Sequence, residues 1–169
     1  MTPSHPALDD IDARLLNRLQ DDATLTLQAL ADELGLSHAT CHRRVRRLHE
    51  QGWIERQVAI VSADRVRQAQ GAGLHALVEV TLDPQTEEAM ARFERVAVEH
   101  ADVQQVWRVS PGPDFMVVIH VPDMPAYQAV ARQLFTAALG VRTVRAFFAL
   151  HRAKFSARQE VRARSPQAT

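Results

Sequence analysis

Four arginines within five residues, Arg43, Arg44, Arg46 and Arg47, carry the strongest chemical signal in the chain. A guanidinium is a planar fork of donors that matches the O6 and N7 acceptors of guanine and the oxygens of a phosphate. Such a run can do that work only if a helix presents it on one face. Cys41, Val45 and Leu48 recur at helical spacing and form an apolar stripe. At about 100° per residue, Ala39, Arg43, Arg46 and Glu50 point away from that stripe, with Thr40, His42 and Arg47 on the flanks. Arg44 falls nearer the buried side and is placed to pair with an acid.

The surrounding elements supply the position. Ser37 suits the N-cap of the arginine helix, because its hydroxyl can accept from the amide of Ala39 or Thr40. Gly35 ends a preceding helix over residues 27–34, capped by Thr26, with Leu27, Leu30, Ala31 and Leu34 on its inner face. Upstream, Ile11, Leu15 and Leu19 give a third stripe, with Asp9, Asp10 and Asp12 at a helix N-terminus, where negative charge is favoured. Three such helices close a small core, and the short connection between the second and third is that of a helix-turn-helix. After Gly52, Trp53 and Ile54 and then Val58, Ala59, Ile60 and Val61 read as extended chain, which predicts a wing beside the helices.

An arginine-rich face without this context is usually a solvated surface. With a capped helix and a glycine turn before it, the reading is DNA recognition. Ser37, His38, Ala39, Thr40, His42 and Arg43, in the N-terminal half of the helix, are then the residues facing base edges in double-stranded DNA. Arg43 is the candidate for bidentate reading of a guanine, whereas Arg46 and Arg47 set affinity and its salt dependence at phosphates.

These residues resemble the Lrp/AsnC, or feast/famine, transcriptional regulators. The likeness is carried by Leu8-Asp9-Asp10-Ile11-Asp12, by Leu34-Gly35-Leu36-Ser37, by Thr40, Cys41, Arg43-Arg44-Val45-Arg46-Arg47-Leu48 and by Gly52-Trp53-Ile54, and it continues through the second half. The fold expected is α+β: an N-terminal winged helix-turn-helix over residues 8–61, a linker over 62–72, and a βαββαβ ferredoxin-like (RAM-type) domain over 73–155. A basic tail over 156–169 follows.

Composition bounds the rest. The chain has 169 residues, 46% of them hydrophobic, enough for one or two small cores. Twenty acids balance twenty Lys and Arg, so positive charge must be local. It gathers in the arginine helix and again at Arg152, Lys154, Arg158, Arg162 and Arg164. One cysteine excludes an intrachain disulfide, and the absence of an apolar leader or long apolar run predicts a cytoplasmic protein without membrane contact. The first seven residues and the tail from about 156 lack an apolar pattern and are expected to fray or lie on the surface.

In the second half, residues 74–82, 103–110, 115–121 and 141–150 read as strands, and 84–100 and 125–139 as helices. Leu77, Val118 and Phe147 or Phe148 leave apolar residues on both faces of the resulting sheet, so a second copy is expected to cover one of them. The homodimer would set two recognition helices on a two-fold symmetric site. The resemblance extends this to tetramers or octamers. It also implies a small effector, often an amino acid, near the turn between the second and third strands, with Ser110, Gly112, Asp114 and Arg145 as its contacts here. Pro111 and Pro113 depart from the family pattern in that turn and remove amide donors, and Val144 and Ala146 replace hydroxyls beside Arg145. A tight hairpin stabilised by Asp114 is the competing reading.

No catalytic constellation stands out, and no cofactor or metal is expected. His38 and His42 lie one helical turn apart beside Cys41, but Cys41 belongs to the buried stripe and reads as a small core residue. Sirohaem decarboxylases share this fold, so a tetrapyrrole enzyme is the alternative, and a small-molecule sensor without DNA binding is a third. The arginine face argues against both.

Overall fold

A computed structural model describes residues 8–71 and 73–163. The chain divides into two units, one built from residues up to Ile60 together with those from Lys154 onward, the other spanning Val61–Ala153.

In the first unit, α1 (Asp10–Asp21), α2 (Leu27–Leu34) and α3 (His38–Glu50) pack around Leu15, Leu16, Leu30, Ala31, Cys41 and Leu48, all buried. Each helix starts where the sequence provides an acceptor. Asp9 and Asp12 form a reciprocal capping box on α1, while Thr26 and Ser37 accept from Ala29 N and Thr40 N at the starts of α2 and α3. Gly35 ends α2 at φ 67°, a left-handed conformation in which glycine carries no Cβ penalty.

The wing does not form as a strand. Residues 55–61 are without regular structure, and Val58, Ile60 and Val61 are exposed. An extended run needs a second run to pair with, and among the described residues of this unit no stretch forms a strand beside it. The expected linker is also more ordered than composition suggests: Ser62 caps a short helix α4 (Ala63–Gln70), rich in Ala, Arg and Gln.

The tail lies on the surface, as expected, yet it does not fray over the residues described. Its described part is anchored on α1. Asn17 donates to Val161 O at 2.7 Å and accepts from Val161 N at 2.9 Å, Gln20 brackets Gln159 in the same way, and Arg158 pairs with Asp21 at 2.8 Å. Val161 also packs against the helical core. An amide side chain that satisfies both backbone groups of one residue leaves no hydropathic trace, so an apolar pattern could not reveal the anchor. The expected fraying of residues 1–7 and the end of the tail, 164–169 with Arg164, fall outside the described residues.

The second unit is a four-stranded antiparallel sheet in the order β2-β3-β1-β4, built from β1 (Leu74–Leu82), β2 (Val103–Arg108), β3 (Phe115–Val121) and β4 (Val141–Phe148). One face packs on α5 (Glu87–Glu99) and α6 (Met124–Leu134), with Val78, Val80, Phe93, Phe115, Val117 and Ile119 fully buried between the layers. α6 is shorter than the apolar spacing suggests, because Thr136 accepts from Leu139 N and starts a separate 3-10 turn that Gly140 closes.

Cross-strand partners share a face, so the register identifies what lines the other one. Leu77 lies opposite Val118 and Phe147, Met116 opposite Trp107, Glu79 opposite Arg145 and His75 opposite His120. Phe147 belongs to this helix-free face, whereas Phe148 turns inward and meets Tyr127 edge-on at 5.0 Å. His120 leans on Gly73, where a Cβ would come within 2.6 Å of its Nε2. Among the described residues no helix is long and apolar enough to cross a membrane.

The Asn17 clamp has a measurable consequence. Asn17→Ala leaves the part-buried N–H and C=O of Val161 unmatched and is expected to destabilise the first unit by about 1 to 3 kcal/mol. Chemical denaturation followed by Trp53 fluorescence in a Trp107→Phe background checks this. An unchanged midpoint would mean the tail contributes nothing to that unit.

Candidate nucleic-acid interface

The helix α3 sorts its arginines by partner. Arg43 is exposed and makes no ion pair among the described residues. Arg46, on the same outer side, meets Glu50 one turn away at 3.3 Å, with both side chains about two-thirds exposed, an interaction that solvent makes weak. Arg44 and Arg47 turn instead to α1. Arg44 Nη1 donates to Asp9 Oδ2 at 2.7 Å and to Asp12 Oδ1 at 2.8 Å, and Arg47 Nη2 donates to Asp12 Oδ2. The expectation that Arg44 pairs with an acid holds.

Asp12 is the buried member of this group, its side chain 2% exposed. A carboxylate removed from water is costly unless its oxygens are matched, and here each oxygen receives a guanidinium. Arg44 Nε is buried without a hydrogen-bond partner, so the match is incomplete on the arginine side. For Asp9, burial raises the pKa, but the Asp12 amide and the Arg44 guanidinium outweigh it and hold the carboxyl below its ordinary value. The Arg44 guanidinium is correspondingly raised, first by its hydrogen bond to Asp9.

The remaining sequence-derived contacts lie on the outer side of α3 or at its start. Ser37, His38, Ala39 and His42 are exposed, and Thr40 is half-buried with its hydroxyl accepting from Ser37 Oγ at 2.9 Å. Cys41 is buried, and burial pushes its thiol pKa up, which is the behaviour of a core residue. Among the described residues no group of three or more His, Cys, Asp and Glu is arranged to hold a metal ion.

The residues that the family resemblance implies for an effector are divided. Asp114 sits at the start of β3, where Oδ2 accepts from Leu82 N at 2.7 Å and from Gln85 Nε2 at 3.2 Å, and Oδ1 accepts from Gln85 Nε2 at 3.0 Å. Its own amide donates to Val80 O. The carboxylate therefore ties the turn to the end of β1. Ser110 and Gly112 are exposed in that turn. Arg145 stands apart on the helix-free face, 3.4 Å from Glu79 and over the Phe147 ring at 5.4 Å.

Comparison with known proteins agrees with both halves of this description. Residues 8–55 match the family described as winged helix-turn-helix DNA-binding, and residues 75–159 match the Lrp/AsnC ligand binding domain. The chain belongs to the Lrp/AsnC family of transcriptional regulators. It is 32% identical over 149 residues to the DNA-binding transcriptional activator DecR of Escherichia coli, covering 88% of this chain and 95% of the relative. It is 30% identical over 157 residues to the leucine-responsive regulatory protein of Salmonella typhimurium, covering 93% of each. The crystal structure of an AsnC family regulator from Agrobacterium tumefaciens superposes with a TM-score of 0.78 at 30% identity, covering 90% of this chain and 96% of that one. A transcriptional regulator from Neisseria meningitidis, solved as an L-Met complex, shares the fold with a TM-score of 0.75 at 23% identity, covering 89% and 94%.

Within this family fold, sequence reasoning overlooked Asp12 and Gln85. Asp12 was visible only as an acid in a helix first turn, although Arg44 and Arg47, three residues apart on one side of α3, formed its complement. Gln85 carried no signal at all.

The depressed Asp9 value fixes a pH dependence. Because the folded value lies below the ordinary 3.8, the stability this group contributes is full above that value and is lost as pH falls through the folded one. Unfolding midpoints of the first unit between about pH 5 and about pH 2 are expected to fall less steeply in Asp9→Asn than in the parent. Superimposable acid limbs would show that Asp9 does not carry the effect.

Proposed function

We propose that this regulator reads DNA by laying the N-terminal half of α3 in the major groove, with Arg43 addressing a guanine and Arg46 a phosphate. The observation that carries the assignment is the sorting of the arginines: Arg43 alone of the four lacks an ionic partner among the described residues, on the side of α3 away from the core. Ser37, His38, Ala39, Thr40 and His42 complete the contacting surface. Ser37 also caps the helix through the Thr40 amide, so it positions α3 as well as touching DNA.

Two copies would associate through the helix-free face of the sheet. Leu77 at 39% exposure, Trp107 at 59% and Phe147 at 46% present more apolar surface than a solvated face carries, and an isologous pair buries it from both sides. Higher assembly to tetramers or octamers follows the family pattern. The C-terminal unit would take a small effector, an amino acid being the chemistry favoured by its ligand-binding family and by the L-Met complex of the Neisseria neighbour. With Asp114 committed to Leu82 and Gln85, Ser110 and the turn backbone at Gly112 are the groups left to meet it, and Arg145 serves the sheet face. The regulator works in the cytoplasm on double-stranded DNA, and family membership together with the arginine face supports regulation over tetrapyrrole chemistry.

Selection of bound fragments from genomic DNA at near-physiological salt tests the reading. A two-fold symmetric motif is expected, and Arg43→Ala should relax preference at one position per half-site at a cost of about 1 to 3 kcal/mol. Equal enrichment of all fragments would refute it. For the assembly, Val118→Glu or Phe147→Glu should shift the sedimenting species to a monomer, and an unchanged species would place the interface elsewhere.

A further inference from the structure

Arg47 occupies a border position. One end of its guanidinium is held by buried Asp12, while the side chain remains 44% exposed on the flank of the face that meets DNA. A side chain of that length on a recognition helix would otherwise be a ready phosphate contact. We propose that Asp12 is a positioning residue for DNA reading: it retains Arg47, and Arg44 behind it, so that these cations neutralise a buried carboxylate instead of the phosphate backbone. The proposal rests on α3 being the recognition helix.

The physical consequence is in the sequence-independent part of binding. Each cation that neutralises a phosphate releases condensed counterions, adds affinity for every duplex alike and steepens the salt dependence by about 0.9 in log–log slope. Holding Arg47 against α1 removes one such contact per protomer. Binding to random DNA then has a lower floor, and the base contacts of Arg43 supply a larger share of the total. Arg44 adds rigidity, because its Nη1 bridges Asp9 and Asp12 and fixes α3 against α1.

Asp12→Asn keeps the shape of the side chain but replaces one acceptor with a donor facing two guanidiniums. Salt titrations of the full-length protein on its genomic motif and on a random duplex provide the readout. In Asp12→Asn the slope is expected to steepen by about one per protomer on both duplexes, with random-DNA affinity rising about fivefold at physiological salt. Asp12→Asn combined with Arg47→Gln should return the slope to the parent value. Arg47→Gln alone leaves Asp12 paired with Arg44 and should leave the slope unchanged, a measurement that stands even if Asp12→Asn folds poorly. A slope flattened by about one per protomer in Arg47→Gln would show that Arg47 already contacts phosphate and would overturn the proposal. Loss of affinity at constant slope in a folded Asp12→Asn would overturn it too, leaving Asp12 as a fold staple. If the parent itself bound all duplexes equally, the recognition role of α3 would fail, and the proposal with it.

Discussion

The buried carboxylate of Asp12 is the constraint around which the DNA-binding unit is organised. A carboxylate at 2% exposure is costly in a helix interface unless cations accompany it, and the chain places two of them on the facing helix. Asp9 then serves two elements, closing the capping box of α1 and sharing Arg44 with Asp12. The start of α1, the orientation of α3 and the local charge balance are thus one arrangement. Two acids and two bases cancel within it, so the arginine cluster that dominates the sequence presents far less free positive charge than its composition implies.

This explains which parts of the structure were legible in the sequence. Caps and apolar patterning are local, and they located α2, β1 and β3 to the residue because Thr26 and Gly35 bracket the helix and the two strands are short Val-rich apolar runs. Properties that depend on a distant partner were not. The wing looked extended because most of its residues are β-branched, yet among the described residues of its own unit no strand lies ready to pair with it. The tail looked idle because its attachment is through Asn17 and Gln20 amides, and amides do not register in a hydropathy pattern. Arg44 could be assigned to an acid because it fell beside the apolar stripe, whereas Arg47, one step around the helix, fell on the polar side and concealed its bond to Asp12.

The turn between β2 and β3 shows the same limit from the other direction. A family pattern identifies Asp114 as a residue that matters, but the role depends on what else reaches its oxygens. Here Leu82 N and Gln85 reach them, and the carboxylate joins the end of β1 to the start of β3. Pro111 and Pro113 reinforce that role, since a turn with fewer amide donors relies more on side chains to hold its shape. Fewer amide donors and a stiffer turn are therefore two consequences of the same two prolines. An effector at this site would be recognised by a smaller set of contacts than Asp114 and Arg145 together would supply, because these two side chains face different neighbours.

The two units also divide the labour of charge. The whole chain is neutral, with twenty acids against twenty bases, so long-range attraction to DNA cannot come from net charge. It must come from separation, with acids withdrawn behind or paired along α1 and Arg43 left outward on α3. The helix-free face of the sheet repeats this logic with apolar groups: Glu79 and Arg145 pair across β1 and β4, and Leu77, Trp107, Met116, Val118 and Phe147 stand beside them on the same face. In both units the pairing of ionic groups decides what the surface presents to a neighbour. A composition count therefore misjudges each of them, overstating the cationic face of α3 and understating the apolar face of the sheet.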